Sequence, residues 1–203
     1  SEQEEIVEVL DKAFAAIDQA KANIEQNIAN AKELFKSLLQ KAFAGELTSQ
    51  INQGAGMKKG WGIKKLGTLV KTSSGGTPLK SKKNYYEGGD IPWLLSGEVS
   101  QGEIFQAKNH ITQLGLESSS AKLFPPDSVL VAMYGATAGQ VGILRFEAST
   151  NQAVCAIYPN ENLTTEYTYY FFLHHKVALL TEAVGNAQPN ISQTKIKNTE
   201  IPV

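Results

Sequence analysis

The first 44 residues contain neither Gly nor Pro, whereas all 17 Gly and all 7 Pro of the 203-residue chain fall after them. A stretch without either breaker can run as one uninterrupted helix, and its apolar residues repeat as a helix requires. Placing Leu10, Ile17, Ile24, Ala31 and Leu38 at heptad position a puts Phe14, Lys21, Ile28, Phe35 and Ala42 at d. Every seam position except Lys21 is then apolar, the pattern of a coiled coil. The ends agree: Glu2, Glu4, Glu5 and Glu8 sit at the positive end of the helix dipole, Lys36 and Lys41 at the negative end. Gly45 is placed to take a left-handed conformation after the last turn, and Ser1 with Glu4 to form a capping box. About 40 residues at roughly 1.5 Å each make a rod on the order of 60 Å. Such a rod projects beyond a domain of ordinary diameter and leaves its stripe in need of a partner helix. The alternative, that the stripe packs on the chain's own second part, stays open. In either case residues 1–46 read as a spacer or dimerisation helix rather than a catalyst.

Residues 47–60 read as a polar, Gly-containing linker, and from residue 61 to 203 the pattern changes to short strands and turns. The expected elements are a strand over 62–70, a turn over 73–78 and an extended piece over 91–95. Strands are expected over 128–133, 140–146 and 152–158. An amphipathic helix over 166–184 would carry Tyr170, Leu173, Val177, Leu180 and Val184 on its packed face, with Thr165 as cap and Gly185 as terminator. A short helical turn and a final extended Ile201–Val203 complete the reading. The fold class is α+β: a long N-terminal helix followed by a globular, strand-rich domain.

Composition narrows the function classes. The charges almost cancel, 19 basic against 20 acidic, which removes a disordered polyelectrolyte. The single Cys155 has no partner thiol, and there is no apolar run long enough to span a bilayer nor a leader pattern, so a cytoplasmic protein with no membrane association is expected. Charge is nevertheless segregated. From Leu47 to Tyr86 there is no acid, while Lys58, Lys59, Lys64, Lys65, Lys71, Lys80, Lys82 and Lys83 supply eight positive charges. Residues 1–44 carry five Lys against eight acids, so the rod is the acidic part. Lysines beside phosphates release condensed counterions, and the Thr, Ser, Asn and Tyr side chains interleaved with them suit base edges or stacking. The same run also fits a plain solvated face.

Catalytic motifs are missing. There is no phosphate-binding G-x-x-x-x-G-K-[ST] loop, no dinucleotide fingerprint and no Asn/Asp-Pro-Pro-Tyr/Phe element, which argues against methyl transfer by this chain. Asp127 follows Pro126 but no Glu-x-Lys completes a nuclease motif. His110, His174, His175 and Cys155 assemble no metal or Cys/His pattern. No metal, cofactor or catalytic residue is expected.

Seven short motifs then occur in order: Trp61-Gly-Ile-Lys-Lys-Leu-Gly67, Ser74-Gly-Gly-Thr-Pro78, Tyr86-Glu-Gly-Gly-Asp-Ile-Pro-Trp93, Ser120-Ala-Lys-Leu-Phe-Pro125, Tyr134-Gly-Ala-Thr-Ala-Gly139, Asn151-Gln152 and Gln188-Pro-Asn-Ile-Ser192. In that order they resemble the target recognition domain of type I restriction-modification specificity (S) subunits. Glu2-Gln3 and Leu38-Leu-Gln-Lys-Ala-Phe-Ala-Gly-Glu-Leu47 resemble the conserved helical region joining such domains. The resemblance implies a non-catalytic subunit that reads one half of a split duplex target. It also implies partners: double-stranded DNA, a methylating modification subunit and a restriction subunit. A second copy, or a second half of the same subunit, would lie along the helix through Leu10, Phe14, Ile17, Ile24, Ile28, Phe35 and Leu38. Natural half-subunit and fragment of a two-domain subunit both remain open.

Carried over by motif, the DNA-contact candidates are Lys71, Ser74, Gly75, Gly76, Thr77, Lys80, Lys82, Lys83 and Tyr85 in the first segment. Tyr134, Gly135 and Thr137 follow in the second, and Asn190, Ser192, Gln193 and Lys195 in the third, the last two segments being neighbouring loops on one face. The four glycines of these motifs read equally as turn formers, and Trp93 as core. Ser96-Gly-Glu98 departs from the Gly-Asp or Ser-Asp pair common in relatives. Arg145 is the only arginine, so a bidentate arginine-to-guanine contact is available at most from there. A structural coiled-coil scaffold without sequence-specific DNA binding, and an enzyme with an unrecognised site, are the competing readings.

Overall fold

The computed structural model describes residues 1–47, 62–181 and 190–203. Residues 48–60 of the expected linker, with Lys58 and Lys59, and Trp61, Val184, Gly185 and Gln188 lie outside the described residues. The chain divides into two compact units, Ser1–Met57 and Lys58–Val203.

In the first unit, α1 (Glu2–Phe43) is one continuous helix of 42 residues, about 63 Å at 1.5 Å per residue. The Ser1 amine donates to the Glu4 carboxylate at 2.5 Å, Ala44 N–H closes the last turn on Gln40 O at 2.9 Å, and Gly45 takes φ +80°. The seven apolar seam residues expected to meet a partner are 45–59% exposed. The helix thus forms as the heptads require and carries its stripe uncovered.

Among its described residues the second unit contains three sheets. The five-stranded sheet has the order β2 (Thr72–Ser74), β10 (Val154–Ile157), β7 (Val129–Ala132), β8 (Val141–Leu144), β4 (Gly102–Ile104). The four-stranded sheet has the order β5 (Asn109–Ile111), β3 (Ile91–Leu94), β9 (Ala148–Thr150), β6 (Leu123–Phe124). β1 (Ile63–Lys65) pairs with β11 (Glu200–Pro202). All pairings are antiparallel except β3 with β9 and β4 with β8. The two larger sheets share one core: Leu94, Phe124 and Ala148 from one meet Ile104, Leu130, Ala132, Leu144, Val154 and Ala156 from the other. Because successive side chains alternate across a strand, Val129, Val131 and Ile143 face the opposite side, where α4 (Thr165–Thr181) packs on β7 and β8. Covering on both faces explains why β7, β8 and β10 are apolar throughout and were legible as strands.

Four expectations are corrected. Only Ile63–Lys65 of the anticipated 62–70 strand is extended; Leu66–Leu69 forms a helical turn, α2, because Leu66 N–H is taken by Thr199 O at 2.9 Å and Val70 N–H returns to Leu66 O. Ser73 and Ser74, expected in a turn, lie in β2, paired with Ala156 and Cys155. In α4 the buried residues are Thr168, Phe171, Phe172 and Leu179, whereas Tyr170 and Val177 of the expected stripe are exposed. The cap is Thr164, whose hydroxyl accepts from Tyr167 N–H, while the Thr165 hydroxyl donates to Asp127 O. Short helices α3 (Gln113–Glu117) and α5 (Gln193–Asn198) complete the unit.

Candidate nucleic-acid interface

The segment following β2 is seated rather than loose. Gly75 N–H donates to Val154 O, Gly76 N–H to Thr150 O, and the Trp93 indole N–H to Gly76 O at 3.0 Å. A Cβ on Gly75 would lie 2.2 Å from Thr150 O, and one on Gly76 2.4 Å from Ala121 N. These two glycines are therefore buried close-approach positions, with their backbone groups engaged inside the domain. Trp93, 5% exposed, belongs to the core as expected. The Thr77 hydroxyl bonds the Gln152 side chain, and the Tyr86 hydroxyl donates to Pro78 O. From this anchored base Lys80, Lys82 and Lys83 project into solvent, and the half-buried Tyr85 follows them.

Two distant segments close on the same place. Tyr134 and Asn190 form a β-bridge, and Ile191 N–H donates to Met133 O at 2.8 Å. The Gln193 amide donates to Thr72 O at 2.9 Å and accepts from the Ser74 hydroxyl at 3.2 Å. Ser192 caps α5 by accepting from Lys195 N–H. Between β7 and β8, a tight 3-10 turn over Gly135–Thr137 relies on φ +69° at Gly135, a left-handed conformation costly for any side chain. Ser74, Tyr134, Gly135, Thr137, Asn190, Ser192 and Gln193 thus gather at one end of the five-stranded sheet, with Tyr134 and Asn190 exposed. Lys195 lies in the first turns of α5 and is half-buried.

Lys71 is separated from this group. In the pairing register Thr72 faces Ile157 and Ile157 faces Val129, whereas Tyr134 follows the other end of β7. Lys71 therefore sits at the far end of the sheet, its ammonium 4.7 Å from the centre of the Tyr158 ring, a cation–π contact. Arg145 lies at that far end too, following β8. It bonds Glu103, Asp127 at 2.6 Å and Glu166 at 3.2 Å. The three carboxylates hold the guanidinium well above its usual range. The lone arginine is thus engaged by three carboxylates at the end of the sheet opposite the loop cluster.

Sequence reasoning passed over three residues beside the basic segment. Lys122 donates to the Ser73 hydroxyl at 2.7 Å. Lys108 and His110, both exposed, line an open cleft of about 750 Å³ together with Lys80 and Lys83. Their signal is faint: a Lys-Asn-His triplet on an edge strand, outside the lysine run. Burial raises the Tyr86 hydroxyl at the cleft wall above the ordinary phenol range. Among the described residues no group of three or more His, Cys, Asp or Glu is arranged to hold a metal, and no helix is long and apolar enough to cross a membrane.

Comparison with known proteins places this geometry. Residues 58–203 match the family model described as type I restriction modification DNA specificity domain. The chain is 28% identical over 202 residues to the type I restriction enzyme EcoR124I/EcoR124II specificity subunit of Escherichia coli, covering 89% of this chain and 49% of that protein. It is 29% identical over 149 residues to the MjaIX specificity subunit of Methanocaldococcus jannaschii, covering 71% and 34%. The chain spans about half, or less, of the length of these relatives. Its fold is similar to a chain in a structure of type I R-M system assembly and conformational transition, with TM-score 0.63, 18% identity and coverage of 96% of this chain and 46% of that one. It is also similar to the HsdS subunit from Thermoanaerobacter tengcongensis, with TM-score 0.58, 16% identity and coverage of 93% and 43%.

Proposed function

From the premise that this chain belongs to the type I restriction modification DNA specificity domain family, we propose that it is a non-catalytic reader of one half of a bipartite duplex target. The observation that carries the reading is the convergence of three chain segments at one end of the five-stranded sheet, the first of which runs on into the exposed Lys80, Lys82 and Lys83. Ammonium groups on an anchored loop hold the sugar-phosphate backbone and displace its counterions. Tyr134, Thr137, Asn190 and Ser192 supply the hydroxyl and amide groups that distinguish base edges. Recognition leans on these because Arg145 is occupied.

The chemistry belongs to partners: a modification subunit that methylates the target base and a restriction subunit that cleaves. The exposed seam of α1 is the surface for a second specificity unit, as a second copy or the other half of a longer subunit. Burying the apolar edge of Phe14 and Ile28 along that seam removes from water what the isolated helix leaves exposed.

Fluorescence anisotropy of labelled duplexes across a salt series tests the reading. Each phosphate neutralised contributes about −0.9 to the slope of log affinity against log salt, so replacing Lys80, Lys82 and Lys83 by Ala is expected to flatten it by up to about 2.7. Binding to no duplex at any salt, with or without the modification subunit, would overturn it. Assembly retained after Phe14→Glu with Ile28→Glu would remove the helix seam from the proposal.

A further inference from the structure

The lysine run accounts for one side of the cleft described above, while the opposite side comes from β5 and the residue before it. Lys80, Lys83, Lys108 and His110 line one open volume of about 750 Å³, and Glu87 is the one carboxylate among its described lining residues. Neither Lys80, Lys83 nor Lys108 forms an ion pair among the described residues. Gathering three ammonium groups against one carboxylate is unfavourable in the free protein and becomes favourable when an anion enters.

The far wall is built, not incidental. Glu98 is 4% exposed, and its carboxylate accepts Leu95 N–H and Lys108 N–H, each at 2.9 Å. The two ends of the excursion from 95 to 108 are thereby tied together, which sets Lys108 at the cleft edge. The near wall is fixed by Tyr86, whose hydroxyl is held by Pro78 O and whose ring meets Trp93 edge-on at 6.0 Å. The mouth is open and its cations are compact point charges without the directional fork that reads a base.

We propose that this cleft is a second phosphate-contact site for duplex DNA, in which Lys108 and His110 bind the sugar-phosphate backbone opposite Lys80 and Lys83. The proposal rests on the DNA-reading function above and adds to it residues from the four-stranded sheet. Such a site adds a phosphate contact and fixes the duplex against the domain without specifying sequence.

The test is the salt dependence of duplex binding by Lys108→Gln and Lys108→Arg, two surface substitutions that leave every backbone bond in place. Lys108→Gln is expected to flatten the slope by about 0.9, and Lys108→Arg to keep it. If the unaltered chain binds no duplex, the functional reading fails and this site with it. If the unaltered chain binds and Lys108→Gln changes neither slope nor affinity, the cleft alone is refuted. A calorimetric titration with dAMP separates the other source of phosphate. Saturable dAMP binding abolished by Lys108→Gln, with duplex binding untouched by that substitution, would overturn the assignment to backbone.

Discussion

Replacing Glu98 with Gln preserves the volume of a buried side chain and changes its charge and hydrogen-bonding pattern. In the structure both carboxylate oxygens accept a backbone N–H at 2.9 Å, from Leu95 and from Lys108, with the residue 4% exposed. An amide keeps one acceptor and turns an NH2 group toward the other donor. A hydrogen bond to a charged group contributes about 1.5–3 kcal/mol and an unmet buried donor costs about 1–3 kcal/mol. Relief of burying a charge offsets part of this loss. The net cost is about 2 kcal/mol, and at about 2–4 °C per kcal/mol for a unit of this size the melting temperature falls by roughly 4–8 °C. Urea unfolding followed by tryptophan fluorescence measures the free energy, and near-ultraviolet circular dichroism the melting temperature. Glu98→Leu, which removes both acceptors, is expected to lose more. Because Lys108 hangs on one of the two bonds, the duplex-binding salt slope of Glu98→Gln should also move toward that of Lys108→Gln. A stability within about 0.5 kcal/mol of the unaltered chain, with unchanged urea dependence, would refute the view that this carboxylate ties the 95–108 excursion.

Gly76→Ala and Gly135→Ala should separate. The first drives a Cβ to 2.4 Å from backbone atoms of Ser120 and Ala121 and is expected to cost about 3–5 kcal/mol, whereas the second meets open space and pays only about 1–2 kcal/mol for its φ of +69°; equal melting temperatures would contradict the close approach. Alkaline pH should destabilise the chain. Burial pushes the Cys155 thiol up to about 12 and the Tyr167 hydroxyl up to about 12, against roughly 8.5 and 10 in an unfolded chain. Above those lower values the unfolded state releases protons that the folded state retains, so stability is complete below about pH 8.5 and declines as pH rises toward 12. Urea midpoints compared at pH 8 and 10.5 should drop more in the unaltered chain than in Cys155→Ala; parallel declines would exclude the thiol as a contributor.

What the sequence made legible follows from how much structure each signal spans. α1 was readable because heptads repeat over 42 residues without a breaker, and β7, β8 and β10 because both faces are buried and their residues are uniformly apolar. β4, β5 and β9 are three residues each, too short for any period to emerge, and exist through pairing with strands far away in the chain. In α4 apolar residues surround most of the helix, so periodicity selected Tyr170 and Val177 where packing on β7 and β8 selects Phe171, Phe172 and Leu179. The adjacency of the Tyr134 and Asn190 loops was implied by the family resemblance, and the bridge between them bears it out. Lys71 lies apart from the other candidates because three residues of β2 carry the chain from one end of the sheet to the other, a distance that sequence proximity hides. Lys108, and His110 as anything but a metal candidate, were passed over for the converse reason: a charge-run scan finds neighbours in sequence, and these two join Lys80 and Lys83 at one cleft from β5 and the residue before it.

The pairing of β1 with β11 brings Gly62 and Val203 into reciprocal hydrogen bonds, Gly62 N–H to Val203 O at 2.7 Å and Val203 N–H to Gly62 O at 2.9 Å. The two ends of the stretch from 62 to 203 thus lie side by side in one antiparallel pair. A module closed in that way is spliced in or out of a longer polypeptide without changing the separation of whatever flanks it.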